Sequence, residues 1–299
     1  MKNLNEKIIE LLNKEDITEI GFVKLEYFKE LEQILIKQDK LGYKTEFQKG
    51  NIDEKVFKNQ NKYKSAIVVL LPYQKNDLCI EKNKIYVSSS SWGLDYHIVL
   101  KSKLKTVVEF LEIKNYISCV SVDNSIYDEK YLAYKAGLGF YGINNLLIND
   151  KYGSYFFVGL ILTDAEFKYN KELTKTCLKC MKCVKACPGQ AINENGILDG
   201  KKCVSYITQK KELTVDEKSK INQCIYGCDI CSIVCPHNKN IEKNNNFLLD
   251  ENVIIDLNKF KSMSNKEFKR KYGEYAFSWR GKKVFERNIN IYKEKLEKK

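Results

Sequence analysis

Apolar residues recur at helical spacing over residues 2–13, where Leu4, Ile8, Ile9, Leu11 and Leu12 fall on one face, so the sequence predicts an amphipathic helix there. Ile20–Leu25 predicts a short strand and residues 27–37 a second helix, whereas Lys40–Asn61 is polar and aperiodic and reads as loop. Ser65–Leu71 is a continuous, β-branched apolar run stopped by Pro72, the pattern of a buried strand. Ser88–Asp95 leads into a helix from about Asp95 to Glu112. A strand over Tyr116–Val122 then delivers Asp123, and Asp128–Ala136 predicts a short helix stopped by Gly137. Two further strands are expected at Asn145–Ile148 and Tyr155–Leu162. Beyond them come a helix over Asp199–Gln209, a strand over Ile254–Leu257, a helix over Ser264–Tyr272 and a basic helix from Gly281. Alternating helices and strands up to about residue 165 argue for a layered α/β (α+β) domain. Gly137-Leu-Gly139 lets the backbone approach a neighbour closely, but it follows a helix rather than a strand, which argues against a dinucleotide loop.

The cysteines change this picture. Nine of the eleven lie between Cys177 and Cys235. Cys177, Cys180, Cys183 and Cys187, followed by Pro188, match the run C-x2-C-x2-C-x3-C-P that binds iron–sulfur clusters. Cys228, Cys231 and Cys235, followed by Pro236, repeat it with Ile225 in the first cysteine's place. Two-residue gaps wrap three thiolates around one cube, and the x3 step carries the fourth thiolate to the other cluster. One cluster thus takes Cys177, Cys180, Cys183 and Cys235, and the other takes Cys187, Cys228 and Cys231 plus a thiolate borrowed from Cys203 or Cys224. Disulfides need an oxidising compartment that nothing here indicates. Zinc sites would not require the third cysteine or the Cys-Pro endings.

Composition narrows the setting. The 299 residues suit two domains, 43% hydrophobic content supports a real core, and 30% charged residues suit a soluble chain. No apolar run approaches the roughly twenty residues that span a bilayer. The charged N-terminus lacks the apolar segment of an export signal, so a cytoplasmic protein is expected. A net charge of +12 suits a polyanionic partner. Only His97 and His237 are present, which closes off H-E-x-x-H zinc chemistry and makes a histidine-dependent triad a poor reading.

Several stretches together resemble the epoxyqueuosine reductases, cobalamin-dependent enzymes of tRNA queuosine synthesis. They are Ser91-Trp-Gly-Leu-Asp-Tyr-His97, Val122-Asp123-Asn124, Ala136-Gly-Leu-Gly-Phe140, Asn144–Ser154, the whole cysteine module, and Ser278-Trp-Arg-Gly-Lys-Lys283 with Arg287-Asn288. The resemblance runs over nearly the whole chain. It implies a nitroreductase-like, cobalamin-binding layered domain over 1–168, a ferredoxin-like module with two 4Fe–4S clusters over 169–245, and a short, basic helical tail over 246–299 that contacts tRNA. The implied reaction is two-electron reduction of the epoxide of epoxyqueuosine at the wobble position, giving queuosine, in a monomer fed by an external low-potential donor such as ferredoxin or flavodoxin.

The resemblance also assigns roles. Asp123, at the end of a strand, would be the proton donor, which requires burial beside the corrin and base to raise its pKa. Cys203 is selected over Cys224 as the borrowed ligand, leaving Cys224, Cys79 and Cys119 as packing thiols. Corrin contacts would be Leu147, Val158, Ser205, Cys228 and Asp229, with Asp123 and with Lys55 and Ser88 standing where the family has arginine and, in some members, cysteine. Ile143 replaces the family's lysine before Asn144. His97 is read as structural, because Leu100 replaces the glycine of the D-x-H-x-x-G arrangement, so the cobalamin would be base-off with no histidine ligand. Lys210, Lys211, Trp279, Arg280, Lys282, Lys283 and Arg287 are the basic and aromatic groups expected to face tRNA. The rival readings are a reductive dehalogenase-like corrinoid reductase, a flavin-bound reductase, and a non-catalytic ferredoxin-type electron carrier.

Overall fold

The computed structural model describes residues 3–58, 62–78, 81, 84–123, 125–249, 253–256 and 263–298; Cys79, Asn124 and Leu257 lie outside them. In chain order the elements are α1 (Leu4–Lys14), β1 (Glu19–Lys24), α2 (Lys29–Lys40), α3 (Ile52–Lys55), β2 (Ser65–Pro72), β3 (Lys84–Val87), α4 (Tyr96–Ile113), β4 (Ser118–Ser121) and α5 (Glu129–Lys135). Then follow β5 (Phe140–Tyr141), β6 (Leu147–Ile148), β7 (Phe156–Thr163), α6 (Lys182–Ala186), α7 (Val204–Ile207), α8 (Val215–Lys220), β8 (Cys224–Tyr226), α9 (Ile230–Ile233) and β9 (Ile254–Asp256). Two helices, Asn265–Tyr272 and Lys282–Glu297, end the described chain.

The chain forms two compact units, Met1–Pro72 with Tyr96–Lys179, and Tyr73–Asp95 with Cys180–Lys299. This division differs from the expected boundaries at 168/169 and 245/246. Residues 73–95 join the second unit because β3 is hydrogen-bonded between β8 and β9. Residues 246–299 join it because Phe268, Phe277 and Phe285 complete the core that holds Ile85, Val87 and Ile225.

In the first unit a four-stranded sheet runs β1-β2-β7-β4, and every neighbouring pair is antiparallel. That pairing makes the domain α+β; it is not a doubly wound parallel sheet. All eight residues of β2 are buried because both faces of the sheet are covered. Ala66, Val68 and Leu70 pack with Leu160 and Leu162 and with Tyr131, Leu132 and Ala133 of α5. On the other face Gly159 lies against Leu100 and Leu104 of α4 and Val69 of β2, so a methyl added there would meet all three at about 3.0–3.1 Å. Burial on both faces explains the unbroken apolar run, each large side chain contributing roughly 1.5–3 kcal/mol.

The glycines of Gly137-Leu-Gly139 serve the fold itself. Gly137 has φ +71° and a Cβ there would collide with the Lys171 carbonyl, while a Cβ at Gly139 would lie 2.7 Å from the Ile148 carbonyl. Two other sequence expectations are corrected. Lys40–Asn61 is not all loop, since Asn51 and Glu54 form a capping box that starts α3. The helix expected over Asp199–Gln209 is broken at Cys203 into a 3-10 turn (Gly200–Lys202) and α7.

In the second unit β3 pairs parallel with β8 and antiparallel with β9. Asn288, 1% exposed, clamps the last helix to this core. Its Nδ2 donates to the Thr208 and Ile225 carbonyls, both at 2.8 Å, and its Oδ1 accepts from Arg287 Nη2 at 2.8 Å. Asn288→Ala would strand two buried carbonyls and should lower the unfolding free energy by about 2–4 kcal/mol, measured by denaturant unfolding; a loss near zero would show that the clamp does not matter.

Candidate functional site

In the first unit, β4 ends two residues before Asp123, which holds φ at 42°, a left-handed conformation that costs a non-glycine residue of order 1 kcal/mol or more. α4 begins with the partners of that carboxyl. Tyr96 Oη donates to Asp123 Oδ2 at 2.5 Å, and His97 Nε2 lies 3.5 Å from the same oxygen. The Tyr96 ring is held between His97, 4.1 Å away, and Phe157, also 4.1 Å away and within 3° of parallel. Tyr96, Asp123 and Phe157 border a cavity of about 410 Å³ whose walls also include Lys55, Glu129, Lys130 and Val158.

The Asp123 side chain is 57% exposed in the protein alone. The buried carboxyl is Glu129, at the start of α5. Burial pushes its pKa well above the ordinary range, and the nearby Asp123 and Asp128 carboxylates push it the same way, against the Asp123 backbone N–H and His97. Its Oε1 is fully enclosed and accepts no hydrogen bond. Burial also lowers the Lys55 pKa, although Asp128 and Glu129 oppose the shift. Glu129 escaped the sequence reading because a glutamate in the first turn of a helix ordinarily faces water. His97 was read as structural, yet it touches the candidate acid. The i, i+1 placement of Tyr96 and His97 at a helix start holds no signal of that contact.

In the second unit, α6 packs against α9. Cys231 lies within electrostatic reach of Cys228, Cys203, Cys187 and Cys183, in that order of strength, a group drawn from both expected sets. Burial, with Cys203 and Cys187 beside it, pushes the Cys228 thiol up to about 12, and burial raises Cys231 as well. Thiols crowded in this way become thiolates only with a cationic group among them, and bound iron supplies that charge. Cys224 differs. It is buried on β8 and its Sγ donates to the Tyr226 carbonyl at 3.3 Å. Ile225, in the missing cysteine's place, is fully buried in the unit's core. Backbone N–H groups point at two of the sulfurs, Lys179 N to Cys177 Sγ and Ala191 N to Cys187 Sγ, each at 3.4 Å. Lys179 and Met181 take left-handed φ values of 50° and 58°, which bend the loop of the first run. None of the described cysteines is in a disulfide, and no three donors among the described residues converge as they would on a single metal ion. A 4Fe–4S cube has an iron at each of four corners and needs no such convergence.

The remaining expected contacts vary in what they offer. Val158 lines the first unit's cavity, while Leu147 is 3% exposed in the core. In the second unit Ser88 Oγ pairs with Ser90 Oγ at 3.0 Å, and the Ser205 carbonyl accepts from Gln209 Nε2 at 2.9 Å. The Asp229 carboxylate is occupied by Asn76 Nδ2 at 2.7 Å and the Ser89 amide at 2.8 Å. Among the residues expected to face tRNA, Arg287 is structural, donating to the Lys210 and Lys211 carbonyls at 2.6 and 2.7 Å. Lys210 pairs with Glu217 at 2.5 Å and Lys282 with Glu286 at 3.3 Å. Lys211 and Lys283 are exposed. Trp279 is 53% exposed, with the Arg280 guanidinium 4.1 Å from its ring centroid and its Nε1 donating to Tyr226 Oη at 2.9 Å. Among the described residues no helix is long and apolar enough to cross a membrane.

Comparison with known proteins agrees with this arrangement. Residues 176–238 match the 4Fe–4S double cluster binding domain, and residues 56–123 match the family described as epoxyqueuosine reductase QueG, DUF1730. The chain is 34% identical to the epoxyqueuosine reductase of Lactococcus garvieae, over 97% of this chain and 86% of that protein. The epoxyqueuosine reductase structure from Streptococcus thermophilus superposes with a TM-score of 0.91 at 32% identity, covering 99% of this chain and 82% of that one. An epoxyqueuosine reductase solved with an epoxyqueuosine-modified tRNA-Tyr stem loop gives 0.90 at 32% identity, covering 97% and 80%. The reductive dehalogenase NpRdhA, at 14% identity, TM-score 0.52 and coverage of 98% and 36%, shares the fold alone. A full-length likeness at this identity, joined to both domain matches, places the chain in the epoxyqueuosine reductase family.

Proposed function

We propose that this protein is an epoxyqueuosine reductase that converts epoxyqueuosine to queuosine in the anticodon loop of tRNA. One observation of the structure carries the chemical reading: a carboxyl, Asp123, held by Tyr96 and His97 at the mouth of a cavity, in a chain that also gathers buried cluster thiols. The carboxyl, positioned by the two α4 side chains, donates a proton to the epoxide oxygen as its bond to carbon breaks. Because Asp123 is half exposed, a bound substrate must supply the burial that raises its pKa.

Electrons would come singly from an external low-potential carrier such as ferredoxin or flavodoxin, by way of two 4Fe–4S clusters. Cys177, Cys180, Cys183 and Cys235 would hold one, and Cys187, Cys203, Cys228 and Cys231 the other. Cys203 is preferred to Cys224 because it lies within electrostatic reach of both Cys228 and Cys231, whereas the Cys224 thiol donates to a backbone carbonyl. Cobalamin, when bound, would supply a low-valent metal as the reductant. The first unit suits such a group: Phe156, Phe157 and Val158 give an apolar edge for a macrocycle, and Lys55 a polar one for its amide rim. Lys55, Asp123, Leu147 and Val158 would meet it from this unit, Leu147 through its backbone because its side chain is buried.

The stacked pair Trp279 and Arg280, with exposed Lys211 and Lys283, would meet the tRNA backbone and an unstacked base. Lys210, Lys282 and Arg287 would add charge behind them. The protein would work as a cytoplasmic monomer.

Reduced, reconstituted protein should convert epoxyqueuosine-containing tRNA to queuosine-containing tRNA, read by nucleoside analysis; no conversion with clusters and cobalamin both loaded would reject the activity. Asp123→Asn should slow single-turnover conversion about a hundredfold or more, and an unchanged rate would remove Asp123 from the chemistry. Cys203→Ser should lose about half of the bound iron, as expected when one of two clusters lacks a ligand, and Cys224→Ser none; the reverse pattern would reassign the borrowed ligand.

A further inference from the structure

The reductase reading requires two protons, and Asp123 carries one. Epoxyqueuosine is queuosine with an oxygen bridging two carbons. Removing it breaks two carbon–oxygen bonds, restores one carbon–carbon π bond and releases the oxygen as water. The balance takes two electrons, delivered singly by the external carrier, and two protons. Resting on that reading, we propose that Glu129 is the second proton store of the site, returning a proton to Asp123 after the first transfer.

The geometry places Glu129 where this role needs it. It borders the same cavity as Asp123, and the Asp123 backbone N–H reaches its carboxyl. Its Oε1 is enclosed with no hydrogen-bond partner, an arrangement costly for a carboxylate and mild for a neutral acid. The groups facing it decide the charge state. Asp123, on the loop after β4, and Asp128, the N-cap of α5, both oppose a negative charge. Lys55 of α3 and His97 of α4 favour one, but burial drives the Lys55 amine itself toward neutrality. The start of a helix favours a carboxylate only weakly. α5 is only two turns long, and burial beside two carboxylates outweighs it. These surroundings favour the neutral form of Glu129, while Asp123, exposed and accepting from Tyr96, is the group placed to touch substrate. Once Asp123 has protonated the epoxide oxygen it carries a new negative charge beside Glu129. The Glu129 proton then moves to Asp123, and from there to the departing hydroxide, leaving Glu129 to be recharged from solvent.

A purely structural glutamate would be replaced without loss by glutamine, which keeps the shape and the acceptor for the Asp123 N–H. The test is therefore Glu129→Gln on the reconstituted protein, with two readouts. The first is the wild-type minus variant infrared spectrum at neutral pH, expected to show the carbonyl band of one protonated carboxyl; the buried Asp229 is the same in both proteins and cancels. The second is single-turnover conversion of epoxyqueuosine-containing tRNA, expected to fall about a hundredfold with tRNA affinity unchanged and the deficit widening as pH rises, and to recover in part in Glu129→Asp. No carboxyl band in the difference spectrum, or a variant with wild-type rate and pH profile, would overturn the proposal. Wild-type protein that makes no queuosine would reject the reductase reading itself, and the proposal with it.

Discussion

The second unit is organised around one buried carboxylate. Asp229 stands next to Cys228, two residues before Cys231, and both donors to its Oδ2, Asn76 Nδ2 and the Ser89 amide, come from the segment 73–95, far away in sequence. Burial alone would push this carboxyl toward its neutral form, and the two short hydrogen bonds oppose that. The same segment contributes β3 as the central strand between β8 and β9. Gly227, at φ +77°, passes so close to Ser88 that any side chain would collide with its hydroxyl. The cysteine module is therefore not a ferredoxin attached by a tether, because its own core is completed by chain from outside the cysteine runs.

That constraint accounts for Ile225. A cysteine there would preserve the repeat, but the position lies on β8 inside an aromatic core with Phe268, Phe277 and Phe285. An ionised thiolate in such surroundings would be heavily desolvated, whereas an isoleucine contributes apolar burial. Cys203, proposed as the source of the borrowed thiolate, sits at the break between a 3-10 turn and α7.

In the first unit the decisive balance is among charges around one cavity. Tyr96 and His97 hold the exposed Asp123 carboxyl, and the enclosed Glu129 lies next to it with burial and two carboxylates against its ionisation. The two acids thus sit in different surroundings, one exposed and accepting from Tyr96, the other enclosed. Phe157, stacked on Tyr96, makes the hydroxyl donor part of the rigid wall formed by β7.

Patterns that act along the chain were legible in the sequence. The apolar run of β2, the amphipathic α1, the cysteine spacing and the strand leading to Asp123 each follow from neighbouring residues alone. The short β3 and β8 were not, because each is only three or four residues long and gains its stability from partners more than a hundred residues distant. α3 was legible in principle through the Asn51–Glu54 capping box. The burial of Glu129, the contact of His97 with Asp123 and the inward turn of Arg287 and Asp229 were decided only by tertiary structure. Desolvation and pairing depend on what the fold brings within a few ångströms, and a glutamate or arginine carries no mark in the sequence of whether that neighbour is water, a carboxylate or a backbone carbonyl. The sequence by itself determined which chemistry the chain can carry; the packing decided which of its ionisable groups are placed to perform it.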